Sequence, residues 1–166
     1  MIADIVVDTN IMLHANNPIE IRHDHARRFV HALMESTVCL CVDEGFNSDP
    51  IINRSLIGAE YIDKLRFGSL GLALIIHCAK YRRILELSRT THVSLAKIVR
   101  QLIRKPRDRT FLIITINSRN KLFVSHDYED FNINKRKAIR RLLRVDIVDA
   151  EEINKILIAR KNNTAV

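Results

Sequence analysis

With 166 residues, 47% of them apolar and 28% charged, the chain has the profile of one globular domain with a sizeable core, not of a disordered segment. No stretch approaches the roughly 20 uninterrupted apolar residues of a membrane span, and Met1 leads almost directly into an apolar strand, so neither a spanning helix nor a signal peptide is expected. Trp is absent, which argues against a base-stacking platform, while 27 Lys and Arg against 19 Asp and Glu give a net charge of +8 and favour a polyanionic partner.

Ile5, Val6 and Val7 run straight into Asp8, Thr9 and Asn10. An apolar run with polar punctuation predicts a strand over 5–8 buried on both faces, as in a parallel sheet. It delivers Asp8 to the carboxyl edge, where open α/β sheets hold their ligands. A helix is predicted over 19–35 from the spacing of Ala26, Phe29, Val30, Leu33 and Met34. A short strand over 37–42 ends in Asp43, Glu44 and Gly45. Residues 51–67 read as a helix, interrupted by Gly68 and Gly71, and 72–87 as another. The apolar start of that second helix suits either the core or a homodimer interface.

A helix over 92–104 is stopped by Pro106, and Asp108 is placed to cap one over 109–117. A strand over 121–125 precedes the loop His126-Asp127-Tyr128-Glu129-Asp130-Phe131. A basic helix over 134–143, a strand over 145–148 and a helix from Ala150 complete the chain. Strands alternating with helices predict a three-layer α/β/α fold with a mainly parallel central sheet, one domain across 1–166. Cys39, Cys41 and Cys78 are odd in number and lack CxxC spacing, which suits reduced thiols in a cytoplasmic protein.

The basic excess is concentrated. Residues 135–144 carry Lys135, Arg136, Lys137, Arg140, Arg141 and Arg144 without an acid, and 97–109 carry six more bases beside Asp108 alone. Charge runs are commonly solvated helix faces, but two of them in so basic a chain point to nucleic acid. The acids are distributed differently. Asp8 ends a strand, Glu60 interrupts an apolar helix face, Asp108 opens a helix, and Asp127 and Asp130 follow a strand. Each alone is an ordinary cap or turn residue. Gathered together, they would repel one another unless a hard cation such as Mg²⁺ or Mn²⁺ joined them.

The start IVVDTNIMLHA and the later DRTFLIITINSRNKLFVSHDYEDF resemble the PIN-domain ribonucleases, including the VapC-type toxins. Asp8, Thr9 and Asn10 match the family's first motif, and Glu60 in AEYIDKL its central helical acid, with Asp43 and Glu44 as competitors. Asp108 matches the acid that opens a later helix, and the run from Ser125 to Phe131 matches the closing motif. The resemblance implies a metal-dependent endoribonuclease that cuts single-stranded RNA by water attack. Asp8, Asp108, Asp127 and Asp130 are the implied metal ligands, for Mg²⁺ or Mn²⁺. Asp8, Glu60, Asp108 and Asp127 are the catalytic set, with Thr9, Asn10 and Ser125 positioning carboxylates or touching phosphate. The six bases of 135–144 would hold the nucleic acid. A toxin subtype would imply an antitoxin partner and a homodimer. The competing reading is a non-catalytic nucleic-acid- or partner-binding module on the same fold. A doubly wound signalling domain is disfavoured, because no Lys stands at a late strand end. Among the remaining residues, His126 beside Asp127 suits either a phosphate contact or an exposed loop.

Overall fold

The computed structural model describes residues 2–163. Its centre is a five-stranded, all-parallel sheet in the order β3-β2-β1-β4-β5, sandwiched between helices in three α/β/α layers. β1 (Asp4–Val7), β2 (Cys39–Asp43) and β4 (Leu122–Val124) are the inner strands. Nearly all their residues are buried, which is why they read as continuous apolar runs with no alternation. β3 (Ile84–Leu87) and β5 (Asp146–Val148) are the edges. On one side α1 (Thr9–Ala15), α2 (His23–Glu35), α4 (Leu70–Lys80) and α8 (Ala150–Asn163) pack on one another. On the other, α6 (Pro106–Asn117) lies across β1, β2 and β4, flanked by α3 (Leu56–Lys64) and α5 (Val93–Leu102), with α7 (Ile133–Leu143) against α5.

One polar residue sits inside the first strand. Asp4 is buried, and its two oxygens accept from the backbone N–H groups of Arg119 and Asn120, each at 2.9 Å. Asn120 Oδ1 in turn accepts from the N–H groups of Ala3 and Asp4. The amino end of β1 is thereby clipped to the turn between α6 and β4.

The structure corrects several expected boundaries. β1 stops at Val7, and Asp8 instead N-caps α1, a helix the apolar pattern did not suggest. The predicted helix over 51–67 shrinks to α3, because Ser55 caps it by accepting from the Gly58 N–H. The expected helix over 72–87 divides. α4 ends at Lys80, Arg82 adopts a left-handed φ of 55°, and Ile84–Leu87 becomes β3. Buried Arg83 secures that junction by donating to the carbonyls of Leu33, Met34 and Val38. The apolar start of α4 serves the core more than a surface, with Leu74 and Ile75 buried and Ile76 exposed. All three cysteines are free. Among the described residues no helix is long and apolar enough to cross a membrane.

Candidate metal centre

β1 and β4 lie side by side, but the chain leaves them in opposite directions, β1 towards β2 and β4 towards β5. That reversal opens a crevice at their carboxyl ends. Asp8 stands at its base. Its backbone N–H donates to Val124 O at 2.9 Å, joining the two strand ends directly. The carboxylate accepts from the backbone N–H and side-chain amide of Asn10, and from Ser125 Oγ at 2.6 Å. Burial raises the Asp8 pKa from 3.8 to about 7. The Ser125 and Asn10 hydrogen bonds oppose the rise, and the charges of Glu60 and Asp127 add to it.

Thr9, Asn10 and Ser125 turn out to be positioning groups. Buried Thr9 donates its hydroxyl to Glu60 Oε1 at 2.8 Å. Asn10 bridges Asp8 to the loop after β4, accepting the His126 N–H on Oδ1. Ser125 Oγ donates to Asp8 and accepts the Asp127 N–H, so one hydroxyl sets two carboxylates. Thr9 and Asn10 also line the cavity beside Asp8, whereas Ser125 is fully buried.

Packing sets Asp43, Glu44 and Glu60 in three different environments. Asp43 is fully buried and spent on local structure, accepting from Ser55 Oγ and from the N–H groups of Leu56 and Ile57 at the start of α3. Glu44 is exposed beside Arg89. Glu60, one turn into α3, lines one cavity of about 540 Å³ together with Asp8, Asp108 and Asp127.

Asp108 is not the cap of α6 but sits within its first turn, after Pro106 and Arg107. Pro in that position loses no hydrogen bond, and an acid near a helix N-terminus meets the positive end of the dipole. Even so, burial and the neighbouring charges of Asp130 and Asp127 raise its pKa to about 6, against the lowering influence of Lys105. Asp108, Asp127 and Asp130 each offer an oxygen, and the three oxygens lie within 4.8 Å of one another. Asp127 Oδ1 accepts from the N–H groups of Glu129 and Asp130, which holds the loop in a tight turn. Asp8 shares the cavity with Asp108 and Asp127 but stands outside this triad, its oxygens engaged by Ser125 and Asn10.

Sequence reasoning singled out none of the three cations here, counting Lys105 and Arg107 only within the basic run over 97–109. Lys64, Lys105 and Arg107 line the same cavity. Lys105 Nζ pairs with Asp130 Oδ2, and Arg107 Nε lies 3.1 Å from Glu60 Oε2. The signal that would have found two of them is adjacency, since residues 105 and 107 bracket the proline that begins the helix of Asp108.

The basic helix needs correction in the other direction. Arg136 is buried and donates to the carbonyls of Phe131 and Ser125, with a longer contact to Ile147 O, so it is a structural strut and not a nucleic-acid contact. Lys135 Nζ donates to Asp130 O, and Arg140 pairs with Asp146. Lys137, Arg141 and Arg144 are the exposed remainder. His126 is also withdrawn from the surface. Its Nε2 accepts the Ala150 N–H, so its Nδ1 carries the proton in the neutral ring and donates to His14 Nδ1 at 2.9 Å. Burial and His14 push the His126 pKa down to about 4.

The donor set is oxygen alone, which suits a hard divalent cation. Two buried oxygens, Asp108 Oδ2 and Glu60 Oε2, have no hydrogen-bond partner, and the Arg107 contact to Glu60 lacks hydrogen-bond alignment. Buried carboxylate oxygens left this way are costly, and a cation would satisfy them. The residues present therefore fit a metal ion. No family model, curated protein or solved structure matches this chain.

Proposed function

We propose that the protein is a metal-dependent nuclease, of the kind its PIN-domain resemblance implies, hydrolysing phosphodiester bonds of single-stranded RNA by water attack. One observation carries the reading. Carboxylates from the end of β1, from α3, from the first turn of α6 and from the loop after β4 meet around one crevice, and two of their buried oxygens accept no hydrogen bond. Structural acids are normally hydrogen-bonded, as Asp4 and Asp43 are here.

Asp108, Asp127 and Asp130 would hold Mg²⁺ or Mn²⁺. Bound there, such an ion lowers the pKa of water and stabilises charge on phosphate. Glu60 Oε2 is the acceptor for a proton from the attacking water, steadied by the Thr9 hydroxyl on its other oxygen. Asp8 fixes the loop through Ser125 and Asn10. No side chain is required to bond covalently to the substrate.

The second reading is a binding module without turnover. The Lys105–Asp130 and Arg107–Glu60 pairs favour it, because internal cations already neutralise part of the cluster. Labelled single-stranded RNA and DNA, incubated with Mg²⁺, Mn²⁺ or EDTA, decide between the two. The nuclease reading expects cutting that needs the ion, prefers RNA and falls at least 100-fold in Asp108→Asn. Binding without cutting by a folded wild type would establish the module instead.

A further inference from the structure

We propose, resting on the nuclease reading, that Lys105 and Arg107 are the phosphate clamp of this centre and change partners as the divalent cation binds. They move from the carboxylates of Asp130 and Glu60 onto the phosphate oxygens of a single-stranded nucleic acid. The two residues bracket Pro106 at the start of α6, and the fixed φ of proline holds them at a set spacing beside the metal triad. In each ion pair the carboxylate is the fixed member and the cation the mobile one. The Asp130 and Glu60 side chains are 18% and 11% exposed, those of Lys105 and Arg107 60% and 61%. Ion pairs with so exposed a member are weak and break by a swing of the long side chain.

Asp130 ties the exchange to the metal. Its carboxylate belongs to the Asp108, Asp127 and Asp130 triad and is also the partner of Lys105, so a divalent ion and the ammonium compete for one group. A displaced Lys105 stays in reach, since it lines the same cavity as Asp8, Asp108 and Asp127. A backbone phosphate entering there meets a planar guanidinium fork and an ammonium, with Lys64 also lining the cavity. α7 offers no equivalent. Its buried Arg136 is a strut, and none of its bases lines this cavity. That leaves α7 the role of a general basic face and gives the scissile phosphate to the α6 pair.

The test uses the full chain carrying Lys105→Gln with Arg107→Gln, against a control carrying Lys137→Gln with Arg141→Gln. Mn²⁺ binding is read by titration calorimetry without nucleic acid. Binding of a fluorescent ten-nucleotide single-stranded RNA is read by anisotropy in Ca²⁺ or EDTA at several salt concentrations, with the RNA checked intact on a gel. The α6 variant is expected to bind Mn²⁺ about three- to ten-fold more tightly, freed of its internal competitors. Its RNA affinity in Ca²⁺ should fall at least ten-fold, and the salt slope should shrink by about 1.4, roughly 0.7 for each single-strand phosphate that is no longer neutralised. In EDTA it should bind RNA as wild type does, while the control loses affinity equally in both conditions. All four positions are exposed, so unchanged thermal midpoints are expected. An equal loss for the α6 variant in Ca²⁺ and EDTA overturns the exchange. Undiminished RNA affinity in Ca²⁺, with Mn²⁺ still bound, overturns the clamp and leaves the metal centre standing. Failure of wild type to bind Mn²⁺ removes both.

Discussion

Asp8→Asn is expected to stabilise the metal-free protein at neutral and alkaline pH, although it removes the residue on which the site is built. The carboxyl group has a pKa of 3.8 when unfolded and about 7 in the fold, chiefly because it is buried. Below pH 3.8 it is protonated in both states and neither helps nor harms. As pH rises from 3.8 to 7, the unfolded chain has lost the proton and the folded protein still holds it, so stability falls. Above 7 the loss is complete. At about 1.4 kcal/mol per pH unit, the window corresponds to roughly 4 kcal/mol. His126 works the other way. With its pKa held down at about 4 against 6.5 in the unfolded chain, it adds stability as pH rises between those values. The wild-type profile therefore combines opposing slopes, and only the difference between variant and wild type isolates Asp8. Asn retains the N-cap of α1, but its amide disturbs the bonds from Ser125 and Asn10, at about 1 kcal/mol. The variant should be about 1 kcal/mol less stable than wild type at pH 4 and roughly 3 kcal/mol more stable at pH 8. Urea unfolding followed by far-ultraviolet circular dichroism, in EDTA across that range, gives the curve. A difference that stays constant to within about 0.5 kcal/mol would refute the account of Asp8 as a buried acid kept at the expense of stability.

Two structural variants test the corrections made to the basic helix and the acids. Arg136→Ala strands the carbonyls of Ser125 and Phe131 and should cost about 3 kcal/mol in urea unfolding, while Lys137→Ala should stay within about 0.5 kcal/mol. Equal effects would mean that Arg136 is not a strut. Asp43→Ala removes three hydrogen bonds at the start of α3 and should lower the thermal midpoint by roughly 6–12 °C, from about 3 kcal/mol at 2–4 °C each. An unchanged midpoint would make Asp43 a candidate metal ligand again.

The parts of the site legible in the sequence were those where local pattern and position coincide. Ile5 to Val7 announced an inner parallel strand, and a carboxylate directly after such a strand reaches the sheet edge whatever the rest of the chain does. The loop from Ser125 to Asp130 follows the same logic. Asp43 could not be separated from Glu60 in advance, because what consumes it is a set of donors 12 to 14 residues away. β3 was hidden for a different reason. The chain leaves α4 through a left-handed Arg82, a conformation that glycine advertises and arginine does not. A four-residue strand continuing an apolar helical pattern then carries too little periodicity to declare itself. In α7 the helix was evident, but which of six bases turned inward depended on the carbonyls of Ser125 just past β4, of Ile147 in β5 and of Phe131 before the helix, and no charge count reveals those.

Asp4 gives the whole arrangement a long lever. From Asp4 to Asp8 the chain climbs about 13 Å along β1, and from Asn117 back to Asp108 α6 spans about 14 Å in the same direction. The clip through Arg119 and Asn120 binds the lower ends of both struts, while their upper ends carry two of the acids that line the crevice. Asp4 therefore ties together, at the opposite pole of the sheet, the two elements that deliver Asp8 and Asp108 to the site.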